Sequence, residues 1–345
     1  RARADGMIER PPAPPQPERG PVRMAGPPGP RLWRDLRRQL RGDPFATAAL
    51  VVLGAIALGA IGAPALTPYD PLAVDFSQAL QPPATAHPLG TDNFGRDVLS
   101  RILFGGRTSL GAAVAATAAL AVLSLLAGVL AGYAGGWVDL GLSRVMDVLL
   151  AFPRLVLAIA VAALLGGSTL SVVVALTAVS WPAYARIIRS FVLQTKHEGY
   201  VLAAHASGAS PWRIMRHHVL GAVVGPMVIL VTLDLSQVIL SLASLSFLGL
   251  GTRPPAPEWG TMLNEGRSFI EEAPWLFFVP GLAIFLVVIC ANYLGDTLRD
   301  ALDPRQDALR QAGRSTRPAM ASSPPATAPA APPPGSGRTA PARPA

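Results

Sequence analysis

The chain has 345 residues, 51% of them hydrophobic and only 14% charged, against about a quarter charged in soluble domains, so its composition is that of a membrane protein. Its formal charge of +8 does not mark a nucleic-acid binder, because the positive residues sit at the chain ends and between apolar runs instead of on one folded face. One cysteine, Cys290, lies inside an apolar run and excludes a disulfide framework or a thiolate metal cluster within the chain.

Residues 1–43 form a basic, proline-rich segment. Its first thirty residues hold too few bulky apolar side chains to offset the entropy of ordering them. It precedes the first apolar run, so it does not read as a cleaved signal peptide, and that run is expected to persist in the mature protein. Arginines in residues 31–41 are placed to meet anionic lipid beside the bilayer.

A membrane domain over 44–304 follows, with six apolar runs at about 45–63, 109–132, 148–165, 169–185, 222–247 and 275–294. Each is near the roughly 20 residues that an α-helix needs to cross hydrocarbon. They are continuous instead of alternating, so six helices are expected and a β-barrel is not. Gly166-Gly167-Ser168 reads as the turn between the third and fourth. Residues 305–345, rich in Pro, Ala and Ser, read as a disordered tail.

Six crossings put both termini on one side of the membrane, with the loops near Arg144 and over 186–221. That side collects 23 of the 29 Lys and Arg residues and the other only five, with Arg154 unassigned inside the third run. Both termini are therefore expected in the cytoplasm.

Catalytic motifs are missing. A phosphate-cradling loop needs a lysine after glycine, and the only lysine, Lys196, follows Thr195. His197-Glu198 opens a zinc-protease motif, but position 201 is Val. No metal site is expected. The loop 186–221 is longer than connectors usually are without a role, which favours a docking site over a solvated link. Its alanines around Tyr200, Ala203 and Ala204 suit a short helix, which Gly208 breaks, and Ser210-Pro211 starts another that carries Arg213.

Polar groups inside spans mark a pathway or a satisfied interface. Asp234 and Gln237, nearly one turn apart, are the pathway candidates. Asp234 either attracts a cargo ammonium group or pairs with Arg154 or a partner chain. Ala112, Ala115, Gly128 and Gly132 suit close helix contacts or ordinary packing, and Pro182 and Pro226 a hinge or a static kink. The first outer loop carries Asp92, Arg96 and Asp97, whose mixed charge suits docking an external protein, although helix capping accounts for part of it. The second outer loop, around Trp259, is placed to act as a plug under that protein.

These residues resemble a known family. Tyr200-Val-Leu-Ala-Ala-His-Ala-Ser-Gly208, His87-Pro-Leu-Gly-Thr-Asp-Asn-Phe-Gly-Arg-Asp-Val-Leu-Ser-Arg101, Leu245-Ser-Phe-Leu-Gly-Leu-Gly251, Pro257-Glu-Trp-Gly260, Asn292-Tyr-Leu-Gly-Asp296 and Leu298-Arg-Asp-Ala-Leu-Asp-Pro304 are similar to motifs of inner-membrane permeases of peptide- and nickel-type ATP-binding-cassette importers, second-permease (C-type) branch. The resemblance spans about residues 31–305. Leu202 and Leu242 stand where the family carries acidic residues, and Gly221-Ala222 where its loop closes with Pro-Asn.

The resemblance implies an all-α, six-helix type I importer permease in the bacterial cytoplasmic membrane, without an ATPase of its own. It implies a second permease, two ATP-binding subunits that hold ATP and Mg, and an extracytoplasmic solute-binding protein. The ATP-binding subunits would grip Tyr200, Ala203, Ala204, Gly208 and Arg213. An ion-driven secondary transporter would instead predict inverted repeats and broken helices with coordinating groups, and a membrane scaffold leaves the long loop without a purpose.

Overall fold

The computed structural model describes residues 43–302, with side chains to 300. The basic segment before Asp43, its arginines at 31–41 and the tail 305–345 lie outside the described residues. Ten helices follow in order: α1 (Pro44–Ile61), α2 (Ala63–Leu66), α3 (Val98–Ala134), α4 (Gly136–Leu150), α5 (Arg154–Leu164), α6 (Thr169–Lys196), α7 (Gly199–Ala206), α8 (Pro211–Phe247), α9 (Trp259–Gly266) and α10 (Trp275–Leu302). Among the described residues there is no strand, only an isolated bridge between Thr91 and Asp97.

Five of these helices, α1, α3, α6, α8 and α10, are long and apolar enough to cross a bilayer. The sixth expected span, 148–165, is a broken one: α4 and α5 meet at a 95° bend. Pro153 accounts for the break, since it has no N–H to give and keeps the preceding Phe152 out of the helical region. The bent pair still makes one crossing. It leaves the end of α3 at Gly136 and delivers the chain to Gly166 and Gly167, whose carbonyls accept from Arg253 at the far side of α8. The molecule is thus an all-α membrane protein with six crossings.

Four of the spans outlast their apolar runs, while α1 stops at Ile61, short of the expected 63. α3 begins at Val98, eleven residues before the expected start at 109, because Asp97 accepts from Ser100 N at 2.8 Å and caps it. α6 continues from the expected 185 to Lys196, and α8 begins at Pro211, capped by Ser210, instead of 222. The loop expected over 186–221 is therefore mostly helix, and only residues 197–210 form the elbow between two long spans. α10 extends beyond the expected 294 to Leu302.

The core is rich in small residues. Ala112, Ala113 and Ala116 of α3, Ala158 and Ala162 of α5, and Ala175 of α6 are buried together against Val238, Ile239 and Leu242 of α8 and Ile284 and Val287 of α10. Alanines let helix backbones approach closely where lipid supplies no hydrophobic drive for association. Both described ends lie on the elbow side, where the Tyr293 hydroxyl of α10 donates to Asp43 Oδ2 at 2.8 Å at the start of α1.

Candidate functional site

The elbow joins α6 to α8. Gly208 takes φ +78°, a left-handed value that glycine adopts without a Cβ penalty, and this turns the chain sharply after α7. On the inner side, Val201, Ile214 and Val219 are buried against Ile188 and Val192 of α6 and Val129 of α3. On the outer side, Tyr200, Leu202 and Trp212 are 49%, 55% and 66% exposed. Ala203 and Arg213 are also exposed, and Ala204 is half-buried in the cluster. The Tyr200 ring lies 5.8 Å from that of His218. Met215–Val219 forms a π turn at the foot of α8, a feature that recurs at functional sites and has no sequence signature here.

The two pathway candidates part company in space. Gln237 is exposed on the side of α8, whereas Asp234 is 6% exposed. The Asp234 Oδ1 lies 3.9 Å from Arg154 Nη1, at the first residue of α5. Tyr184 of α6, which sequence reasoning did not single out, is the other polar neighbour of this carboxylate. Asp234 Oδ2 has no hydrogen-bond donor among the described residues. The side chain thus faces the bend between α4 and α5.

Residues 124–308 match the family model described as binding-protein-dependent transport system inner membrane component. Residues 31–83 match the N-terminal transmembrane domain of oligopeptide transport permease C. The chain is 41% identical over 273 residues to a dipeptide transport system permease protein of Alkalihalophilus pseudofirmus, covering 79% of this chain and 90% of the relative. It is 45% identical over 275 residues to a glutathione transport system permease protein of Pectobacterium atrosepticum, 79% of this chain and 91% of the relative. With a nickel transport system permease protein of Escherichia coli K12 it shares 40% over 256 residues, 74% of this chain and 92% of the relative. The chain belongs to this family of permeases. It is a multi-pass membrane transport subunit.

Opposite the elbow, the permease closes its other side with a buried charge network. Asp92 accepts from the Arg96 amide at 2.9 Å and from Arg96 Nε at 2.6 Å. The Arg101 guanidinium spans Asp92, at 3.5 Å, and Glu265 of α9, at 2.8 Å. Asp97 holds His87 Nδ1 at 2.9 Å, and the other ring nitrogen of His87 meets Gln78 Oε1 at 2.8 Å. Burial pushes the Glu265 carboxyl above its ordinary range, against the pull of Arg101 and Arg96.

This geometry corrects the expected docking role of Asp92, Arg96, Asp97 and Trp259. All four are at most 5% exposed, so none presents a side chain to an external protein in this conformation. Trp259 does fill space as a plug, but inside the chain: its indole N–H donates to Ile102 O at 2.9 Å, and a Cβ at Gly106 would meet its ring at 2.8 Å. Sequence reasoning missed Glu265 because its pair joins residues 164 apart, and His87 because an irregular loop with no helix or strand period brings it to Asp97 ten residues on. The exposed large apolar side chains between α2 and α3 are Tyr69, Leu72, Val74, Phe76 and Phe94. Tyr69 and Leu72 line an open hollow with Pro64, Thr67, Phe104 and Pro257.

Proposed function

We propose that this permease forms half of the transmembrane pathway of an ATP-driven importer in the bacterial cytoplasmic membrane. A second permease supplies the other half. Two ATP-binding subunits hold ATP and Mg and seat on the elbow, and an extracytoplasmic solute-binding protein delivers cargo to the opposite face. Both termini then lie in the cytoplasm with the elbow.

One observation carries this reading. The elbow keeps its inner face packed and leaves Tyr200, Leu202 and Trp212 uncovered at the end of two long spans. An aromatic and aliphatic knob outside the bilayer is what a groove on a soluble partner buries. Ala203, beside Tyr200, lets the partner backbone approach, and Arg213 supplies a charge at the rim. Closure of the partners on nucleotide pulls the knob, and the stiff α6 and α8 carry that displacement into the bilayer. Alternation between two packings follows when ATP favours one and the loaded binding protein the other.

The binding protein meets the rim of Tyr69, Leu72, Val74 and Phe76, which takes over the docking role from the buried charges. Gln237 and its exposed face of α8 line the pathway against the second permease, and Asp234 lies behind it, paired with Arg154. The cargo is a short peptide, or a compact solute of that size such as a nickel chelate, in keeping with relatives named for dipeptide, glutathione and nickel transport.

Purification in mild detergent tests the assembly. Two ATP-binding chains and a second permease should co-purify in fixed ratio, and cells should lose uptake with ATP but not with the proton gradient. Recovery of the permease alone, with uptake that follows the proton gradient, would reject the reading.

A further inference from the structure

Tyr133 is the penultimate residue of α3, and it touches both feet of the elbow. Its hydroxyl donates to the carbonyl of Pro211, the first residue of α8, at 2.7 Å. Its own carbonyl accepts from Nζ of Lys196, the last residue of α6, at 3.0 Å. The same ammonium reaches Gly132 O at 3.4 Å and lies 5.4 Å from the Tyr133 ring centroid. A cation over the last carbonyls of α3 also meets the negative end of that helix's dipole.

The neighbourhood shows why this matters. Below Tyr133, α3 and α6 are interlocked: a Cβ on Gly128 would lie 2.6 Å from Ala185 O, and one on Gly132 would lie 2.7 Å from Val192 Cβ. Ser124 adds a bond to Trp181 O at 3.2 Å, one further turn down. α3 and α6 therefore move as one body. Beyond Tyr133 stiffness ends, because Gly135 and Gly136 take φ +66° and +52° and start a new helix in another direction. The foot of α8 carries the π turn over Met215–Val219. The Tyr133 hydroxyl adds a hydrogen bond from α3 to the foot of α8, beside the apolar packing of Ile214 and Val219 against Val129, Ile188 and Val192.

We infer that Tyr133 is a positioning residue that clamps the elbow to α3, so that pull on the elbow moves three spans together. The inference rests on the importer reading above. Tyrosine is required at this place for one atom: phenylalanine would fill the same apolar space among Val129, Val192 and Ile214, but would release Pro211. The Pro211 carbonyl also accepts from the Met215 amide, so it stays bonded without the hydroxyl and a Tyr133→Phe chain has no reason to misfold.

The experiment uses the complete complex in liposomes, with its binding protein and a peptide cargo. Tyr133→Phe should keep ATP hydrolysis and lower cargo imported per ATP about fivefold, the equilibrium weight of one neutral hydrogen bond. A second readout labels Ala134→Cys and Ser207→Cys in a Cys290→Ala background. Their separation should stay constant between ATP-bound and nucleotide-free complexes when Tyr133 is present, and should change with nucleotide in Tyr133→Phe. Unchanged cargo per ATP in the variant, an equal loss of hydrolysis and import, or a separation that varies with Tyr133 in place would overturn the clamp. Failure of the unaltered complex to import cargo on ATP would instead overturn the importer reading itself.

Discussion

The Arg101 Nη2 lies 2.8 Å from Glu265 Oε2, a residue 164 positions on in the chain, and joins the first turn of α3 to α9. Arg101 is 2% exposed. A buried charge left without its partner costs about 3–5 kcal/mol. Arg101→Met should therefore destabilise the outer loops by leaving Glu265 and Asp92 short of a cation, whereas Glu265→Gln should cost less, because Asp92 still faces Arg101 at 3.5 Å. The double variant Arg101→Met with Glu265→Gln should lose less than the sum of the two single changes. Thermal unfolding of the detergent-solubilised chain reads this out, and additive losses would mean that the two side chains do not act as a pair.

The same carboxyl predicts a pH slope. Burial raises the Glu265 pKa above its ordinary 4.5, and Arg101 and Arg96 only partly oppose it. A carboxyl raised in the fold ionises later there than in the unfolded chain. Its contribution to stability is then fully present below 4.5 and is lost as pH rises through the folded value. Glu265→Gln is neutral throughout and has no such slope. The unfolding midpoint of wild type minus that of the variant should thus fall as pH climbs from 4.5 toward neutral, and a flat difference would contradict it.

What could be read from residues alone follows from physical range. Lipid demands about 20 apolar residues per helix, so six crossings stood out as runs, and glycine after the alanines of Tyr200–Ser207 marked the elbow. Helix ends did not, because α3, α6 and α8 continue past the hydrocarbon into polar residues held by caps such as Asp97 and Ser210. The bend at Pro153 sat inside a run read as one helix, although Pro153 and Arg154 interrupt its apolar residues. Partners across the fold, Glu265 for Arg101 and Tyr184 for Asp234, leave no local trace at all. For the same reason Asp92, Arg96 and Asp97 looked like a charged surface while pairing inside.

Glycine spacing on α3 yields a contrast. Gly128 faces backbone and Ile188 of α6 within 2.8 Å of an added Cβ, whereas Gly111 faces nothing within 4 Å. Gly128→Ala should overpack the interface at about 1–3 kcal/mol. Gly111→Ala should be neutral or stabilising by up to about 1 kcal/mol through helix propensity. Melting of the two variants side by side decides the matter, with equal effects counting against the α3 and α6 interlock.

The uncovered knob separates folding from assembly. Leu202→Ser and Trp212→Ser remove exposed apolar surface, so each should leave the chain's own stability within about 0.5 kcal/mol. Each should nonetheless reduce the ATP-binding chains retained on purification. Retention at the wild-type level with both changes present would move the docking surface elsewhere.

Asp234 and Arg154 predict an asymmetry between the two ends of one ion pair. The Asp234 side chain is 7% exposed and that of Arg154 41%. Removing the acid by Asp234→Asn leaves an arginine that water can reach, so assembly and expression should persist with under about 1 kcal/mol lost. Removing the base by Arg154→Met leaves the buried carboxylate without a cation and with Tyr184 as its polar neighbour, and should cost about 3 kcal/mol or more. Adding Asp234→Asn to Arg154→Met should then recover most of that loss, because the stranded charge is gone. Uptake gives the functional half: Asp234→Asn should weaken import in the assembled complex if the pair sets the bend of α4 and α5 beside the pathway. Wild-type import by that variant would remove Asp234 from the transport mechanism, and leave the pair as a tie between α5 and α8.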